Sequence, residues 1–194
     1  MTGLKVLSVA SELVPLIKTG GLGDVAAALP RALTKLGLEV RCLLPGYPTV
    51  LEKLDRPHML RRLDGLFGGN GRLLAAAVDG LDLLIVDAPH LYGRAGHPYL
   101  APDGTDWPDN AVRFAALSWV AAEIGLGLLP DWRPEIVHVH DWQAGLAPAY
   151  LSLSGRPRPA TVLTIHNIAF QGQFPAALLD RLRLPHSAYA IDGV

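Results

Sequence analysis

Short apolar runs alternate with helix-period segments along almost the whole chain, and this alternation restricts the fold more than any other feature. Residues 4–10 (LKVLSVA) are β-branched and leucine-rich with apolar side chains on both faces, as a strand buried in a parallel sheet requires. Residues 39–44 (EVRCLL), 135–140 (EIVHVH) and 160–165 (ATVLTI) read as further strands. Between them lie helical patterns. Residues 24–36 place Val25, Leu29, Leu33 and Leu36 at helical spacing and close on Gly37, with a kink expected at Pro30. Residues 109–125 form a largely apolar helix expected to be buried on several sides, and 142–153 another helix. Strands alternating with helices make βαβ units, hence an α/β, Rossmann-like, doubly wound and mostly parallel sheet covered on both faces.

The stretch 59–88 departs from that rhythm. Its apolar runs are divided by Gly68-Gly69-Asn70-Gly71 and by Asp79-Gly80, which are hairpin signals, so an antiparallel excursion with a return strand over 81–87 is expected. Residues 89–108 form a long Gly/Pro/Asp loop, of a length usually functional or mobile. No internal repeat or low-complexity tract is evident.

Composition excludes several classes. Half the chain is hydrophobic and 18% is charged, which rules out a disordered chain. A net charge of −1 offers no phosphate-tracking surface, so no nucleic-acid partner is expected. The single cysteine, Cys42, excludes an internal disulfide framework and any multi-cysteine metal site. The N-terminal apolar stretch is broken by Glu12 and Pro15, and no run approaches the roughly 18 residues that span a bilayer. A soluble, cytoplasmic chain with no membrane partner is the expectation.

A doubly wound sheet binds its ligand outside the carboxyl ends of its strands, and three polar clusters fall there. The first is Lys18-Thr19-Gly20-Gly21-Leu22-Gly23-Asp24. Its glycines let a ligand approach the backbone, the following helix N-terminus favours an anion such as a diphosphate, and Lys18 adds charge. Glycine-rich turns also serve merely to connect elements. The same residues formally fit the G-x-G-x-x-A dinucleotide fingerprint, but some ten loop residues separate them from the first strand. Glu39 also opens the second strand rather than closing it, so an NAD-dependent oxidoreductase stands second.

The second cluster is His138-Val139-His140-Asp141-Trp142-Gln143. Alternate strand residues share a face, so His138 and His140 are conceivable metal ligands, although no third or fourth ligand is evident. Asp141, at a strand-to-helix junction, serves as an N-cap or accepts a sugar hydroxyl. The third is Thr164-Ile165-His166-Asn167 with Gln171-Gly172, which supplies donors and acceptors for a polyhydroxyl ligand or else a turn capped by Asn167. Tyr99 and Asn110 flank the long loop and are placed to line the same crevice.

These runs, together with Asp87-Ala88-Pro89-His90-Leu91-Tyr92 and the 144–150 segment AGLAPAY, resemble the bacterial glycogen synthases of the ADP-glucose-dependent glycogen/starch synthase family, in order over essentially the whole chain. The resemblance implies a retaining glucosyltransferase of the two-Rossmann-domain (GT-B) type. Such an enzyme transfers glucose from ADP-glucose to the non-reducing-end 4-hydroxyl of an α-1,4-glucan such as glycogen or maltooligosaccharide, without metal or cofactor. It implies catalytic roles for Asp141 and His166. Donor or substrate contacts fall to Lys18, Gly20, Gly21, Asp24, Tyr99, Asn110 and Asn167. Gln143 stands where many members carry histidine. The family's second domain, with the nucleotide-base pocket, a basic pair and paired glutamates, has no counterpart in this sequence. Residues 1–194 are accordingly expected to be the N-terminal, acceptor-side domain, cut short at its C-terminal end and catalytically silent alone. A non-catalytic glucan-binding module is the remaining alternative.

Overall fold

The computed structural model describes residues 3–190. Its centre is a seven-stranded sheet in the order β3-β4-β5-β2-β1-β6-β7, where β1 is Lys5–Val9, β2 Glu39–Pro45, β3 His58–Leu66, β4 Gly69–Val78, β5 Leu81–Asp87, β6 Ile136–His140 and β7 Ala160–Thr164. Strands β5, β2, β1, β6 and β7 run parallel, while β4 is antiparallel to both β3 and β5. The excursion expected over 59–88 is therefore a meander appended to a parallel sheet. The order reverses beside β1, with β2 on one side and β6 on the other, and the two loops leaving the carboxyl ends of β1 and β6 open onto that switch point.

Hydrophobic burial holds this arrangement. Leu7 and Val9 of β1 and Val137 and Val139 of β6 have no exposed surface. Helix α4 (Asn110–Gly125) is buried on all sides except at Trp119 and Glu123, as its largely apolar composition predicts. Two short helices, α2 (Pro48–Leu51) and α3 (Pro89–Tyr92), follow β2 and β5.

Two helices differ from the sequence expectation. Helix α1 spans Gly21–Lys35, starting three residues early and running on through Pro30. It buries Leu22, Gly23, Ala26, Ala27 and Pro30, whereas Val25 and Leu36 are 41% and 76% exposed. Small residues let the helix lie close to the sheet, so the leucine-and-valine stripe is not the packed face. The helix read over 142–153 is two pieces, α5 (Asp141–Ala144) and α6 (Leu146–Leu153). The cause is Pro148, which has no amide to bond the carbonyl of Ala144.

The long 89–108 segment is pinned rather than loose. The Arg94 guanidinium binds both carboxylate oxygens of Asp109, at 2.6 and 2.5 Å. Arg113, 1% exposed, donates to the carbonyls of Leu91 (2.7 Å) and Pro98 (2.8 Å) and to Asn110 Oδ1 (2.6 Å). Tyr92 donates its hydroxyl to the Arg113 carbonyl at 2.6 Å. At the far edge of the sheet, β7 has Val162 and Leu163 on opposite faces, both more than 40% exposed.

Candidate active site

Each predicted cluster lies at the carboxyl edge of the parallel strands, and a chain of contacts joins them. The loop after β1 carries Lys18, whose ammonium pairs with the Asp24 carboxylate at 2.7 Å at the start of α1. Gly20, with an extended φ of −150°, precedes the helix, and no side chain caps α1. A Cβ built on Gly20 or Gly21 meets nothing within 4 Å. Neither backbone conformation nor protein packing therefore demands glycine at these two positions. What the missing side chains leave is open space beside an uncapped helix N-terminus, the geometry a phosphate needs to approach. Gly23 is different, since its Cβ would lie 3.3 Å from the Ile17 carbonyl.

The turn is fixed from behind by Glu12, 2% exposed. Its carboxylate accepts the Thr19 amide, the Thr19 hydroxyl (2.7 Å), the Gly20 amide (3.4 Å) and the Tyr99 hydroxyl (2.5 Å). Tyr99 thus reaches the β1 loop from the 89–108 segment. Because Tyr99 donates to Glu12, Ser11 is the donor in the 2.7 Å contact between their hydroxyls. Burial, with Tyr47 and Glu12 nearby, keeps the Tyr99 phenol protonated far above its ordinary range. Asn110 lies beneath the crevice wall, buried, its amide donating to the Tyr99 carbonyl at 2.9 Å and its oxygen accepting from Arg113.

The aromatic row Tyr99–Phe114–Trp142, with centroids 5.8 and 5.1 Å apart, leads to the second cluster. Asp141 has a positive φ of 57°, a conformation costly for most side chains but more accessible to Asp and Asn. It turns the carboxylate towards the end of β7, where Oδ1 accepts the His166 amide at 2.6 Å. His166 Nε2 lies 3.0 Å from His140 Nδ1, and His140 Nε2 lies 3.3 Å from the Ser8 hydroxyl. Asn167 is exposed, and its side-chain oxygen accepts the Ala169 amide at 2.9 Å, so it caps the following turn. Gly172, at φ 63°, lies flat on Trp142, where a Cβ would come within 2.6 Å of the indole. Gln143 is buried with its Oε1 unpartnered.

His138 and His140 stack with their ring centroids 4.3 Å apart. His138 Nε2 is 2.7 Å from the Thr164 hydroxyl, and among the described residues no group of three or more His, Cys, Asp or Glu is arranged to hold a cation. Burial chiefly, then the neighbouring His138 and His166, pushes the His140 pKa down to about 3, and burial lowers His138 as well. Both take up a proton less readily in the fold than in the unfolded chain, whose imidazoles charge as pH falls through the ordinary value of 6.5. Their contribution to stability is complete above that value and is lost as pH falls towards the folded pKa. Each such group changes stability by up to about 1.4 kcal/mol per pH unit. His140→Gln is therefore expected to flatten the acid limb of denaturant midpoints measured between about pH 7 and pH 5 by close to one proton.

Sequence reasoning met Glu12 only as an interruption of an apolar stretch. Its signal was there nonetheless: an acidic residue among apolar ones, at the exit of a buried strand and seven residues before Thr19. Ser8 was missed because a small residue in a strand looks like packing.

A parallel sheet with polar residues gathered at its switch point, and a glycine-flanked helix N-terminus beside them, is the architecture of the N-terminal domain of GT-B glycosyltransferases. The chain belongs to the starch synthase catalytic domain family, which it matches over residues 5–194. It is 60% identical to a glycogen synthase of Rhodopseudomonas palustris (strain TIE-1) across all of this chain and 40% of that protein. To a glycogen synthase of Acidiphilium cryptum it is 54% identical, over 98% of this chain and 40% of that one. Among solved structures, the catalytic domain of starch synthase IV from Arabidopsis thaliana, bound to ADP and acarbose, superposes with a TM-score of 0.76 at 30% identity, covering 98% of this chain and 40% of that chain. The chain thus spans about 40% of the length of these relatives.

Proposed function

We propose that this chain is the N-terminal, acceptor-side part of a retaining glucosyltransferase. The enzyme moves glucose from ADP-glucose to the non-reducing-end 4-hydroxyl of an α-1,4-glucan such as glycogen or maltooligosaccharide, with no metal or cofactor. The observation that carries this reading is the pair Gly20–Gly21: nothing in the protein requires glycine there, and the space lies at an uncapped helix N-terminus beside a lysine. An anionic donor is the group that such space suits.

Breaking the anomeric C–O bond expels ADP and leaves an oxocarbenium-like sugar, so positive charge is needed at the diphosphate and oriented acceptors around the sugar. Lys18 with α1 serves the first need. Asp141 serves the second through the carboxylate oxygen that His166 leaves free, while the side chain of His166 borders the glucosyl pocket. Asp24 holds Lys18 until a phosphate competes for it. The nucleotide-base pocket and the basic pair that the family resemblance implies fall to residues outside these 194.

The test uses the full-length enzyme containing this segment. Incubation with ADP-glucose and maltooligosaccharide is expected to lengthen the glucan, whereas residues 1–194 alone are expected to release no ADP. Elongation by the 194-residue chain alone, or none by the full enzyme, overturns the proposal. Lys18→Ala in the full enzyme is expected to lower kcat/KM for ADP-glucose by about 1.5–3 kcal/mol, the usual size of a charge-assisted contact. A glucan-binding module predicts instead that Lys18→Ala leaves maltooligosaccharide binding untouched and that ADP-glucose is not consumed. An oxidoreductase predicts that NAD(H), and not ADP-glucose, raises the melting temperature.

A further inference from the structure

We infer that Glu12 is a positioning residue for the donor: it sets the shape of the Lys18–Gly21 turn and locks that turn to the Tyr99 segment. The inference rests on the donor reading given above. A buried carboxylate ordinarily finds a cation, because an unpaired charge in the interior is costly. None of Glu12's partners is an arginine or lysine; all are neutral N–H and O–H groups. Those donors belong only to Thr19, Gly20 and Tyr99, the residues that connect Lys18 to α1 and the 89–108 segment to the crevice.

The division of amides is informative. Thr19 and Gly20, the two residues before α1, give their N–H groups to Glu12. The first turn of the helix, opening with Gly21 and Leu22, spends none of its amides on a side-chain cap. Glu12 therefore draws the backbone inward just before the helix and leaves the first-turn amides for an anion. The same carboxylate takes the Tyr99 proton, so the Tyr99 hydroxyl has no proton to donate to a ligand and serves as an anchor. One side chain thus couples two segments some 80 residues apart in sequence. A loop held this way has little ordering entropy left to lose when donor binds.

Glu12→Gln in the full-length enzyme keeps the shape, removes the charge and turns an amide NH2 towards groups that themselves donate. It is expected to raise KM for ADP-glucose about 10–50-fold, as loss of charge-assisted bonds does, with KM for maltooligosaccharide within about twofold. Hydrogen exchange of the peptide over residues 13–20, read by mass spectrometry, is expected to quicken in the same variant. If Glu12→Gln fails to fold, Thr19→Val removes one bond and is expected to raise donor KM about two- to fivefold with acceptor KM unchanged. Unchanged donor KM in either folded variant, or donor and acceptor KM rising together, overturns the inference. If the wild-type enzyme does not elongate glucan from ADP-glucose, the functional reading fails by itself. The exchange measurement then decides Glu12's role, since equal protection of residues 13–20 in wild type and Glu12→Gln overturns it.

Discussion

Replacing Asp141 by Asn in the full-length enzyme is expected to cut glucan synthesis by about 10²–10³-fold while leaving the fold in place. This side chain has one job that the structure shows and a second that the proposed function assigns to it. One is local: Oδ1 accepts the His166 amide at 2.6 Å, and the residue tolerates a φ of 57°. Asparagine does both, since its side-chain oxygen still accepts that amide and it is among the residues most at ease in the left-handed region. The other job is electrostatic, and asparagine lacks it. Removing one preorganised stabilising group from a reacting centre costs a few kcal/mol, which is the origin of the 10²–10³ figure. Steady-state kinetics with ADP-glucose and maltooligosaccharide, beside a melting curve, is the measurement. An Asn variant that melts like wild type and retains more than about a tenth of its activity leaves Asp141 only its structural role of accepting the His166 amide, since α5 begins at Asp141 and no side chain caps it. Asp141→Ala is the harsher comparison, for it loses the His166 partner and also bears the left-handed backbone without compensation.

Arg113→Met is expected to lower stability by about 2–4 kcal/mol, a fall in Tm of about 5–15 °C for a domain of this size. Methionine matches much of the apolar stem but supplies none of the donors that Leu91, Pro98 and Asn110 receive. Burial lowers the guanidinium's pKa, Asp109 and the tyrosines Tyr47 and Tyr92 raise it, and no carboxylate is among its hydrogen-bond partners. The charge is held by carbonyl dipoles, and removing it leaves those carbonyls buried and unpaired. The same change should loosen the segment that delivers Tyr99 to the β1 loop. Thermal unfolding followed by circular dichroism checks the first effect and faster hydrogen exchange over residues 94–108 the second. A Tm within about 2 °C of wild type means that water satisfies those carbonyls and that Arg113 is not the staple described above.

The sequence shows the sheet more clearly than it shows the helices. Strands β1, β2, β5, β6 and β7 lie where apolar runs and turn residues put them, within a residue or so at their ends, whereas the turn expected over 68–71 is tighter: Gly69, Asn70 and Gly71 already pair in β4, leaving Phe67-Gly68 between the strands. Strand length and glycine-bearing turns are local signals, and local signals survive folding. Helix α1 illustrates the limit. Its large apolar residues mark a stripe, yet the sheet selects the small ones, because close approach of helix to sheet outweighs side-chain size. Pro148 is the local signal for the break between α5 and α6, set within an otherwise helical pattern.

In the candidate site, Asp141 and His166 are legible as polar residues just past strand ends, and Lys18 as a lysine beside paired glycines at a helix start. The rest is relational. Asn110 sends its amide into the Tyr99 carbonyl, Asn167 caps a turn, and Glu12 reaches Tyr99 across 87 residues of sequence. Such roles depend on partners that only the folded chain brings near.

The seating of Gly172 on the Trp142 indole makes these two positions a single evolutionary variable. A methyl group at 172 collides with the ring and also forces an alanine into a left-handed backbone, so the glycine cannot drift first. A smaller side chain at 142 would open the space but withdraw the platform under the loop that follows β7. Divergence here should proceed by paired replacement, with the ring shrinking and the turn being rebuilt together, or not at all.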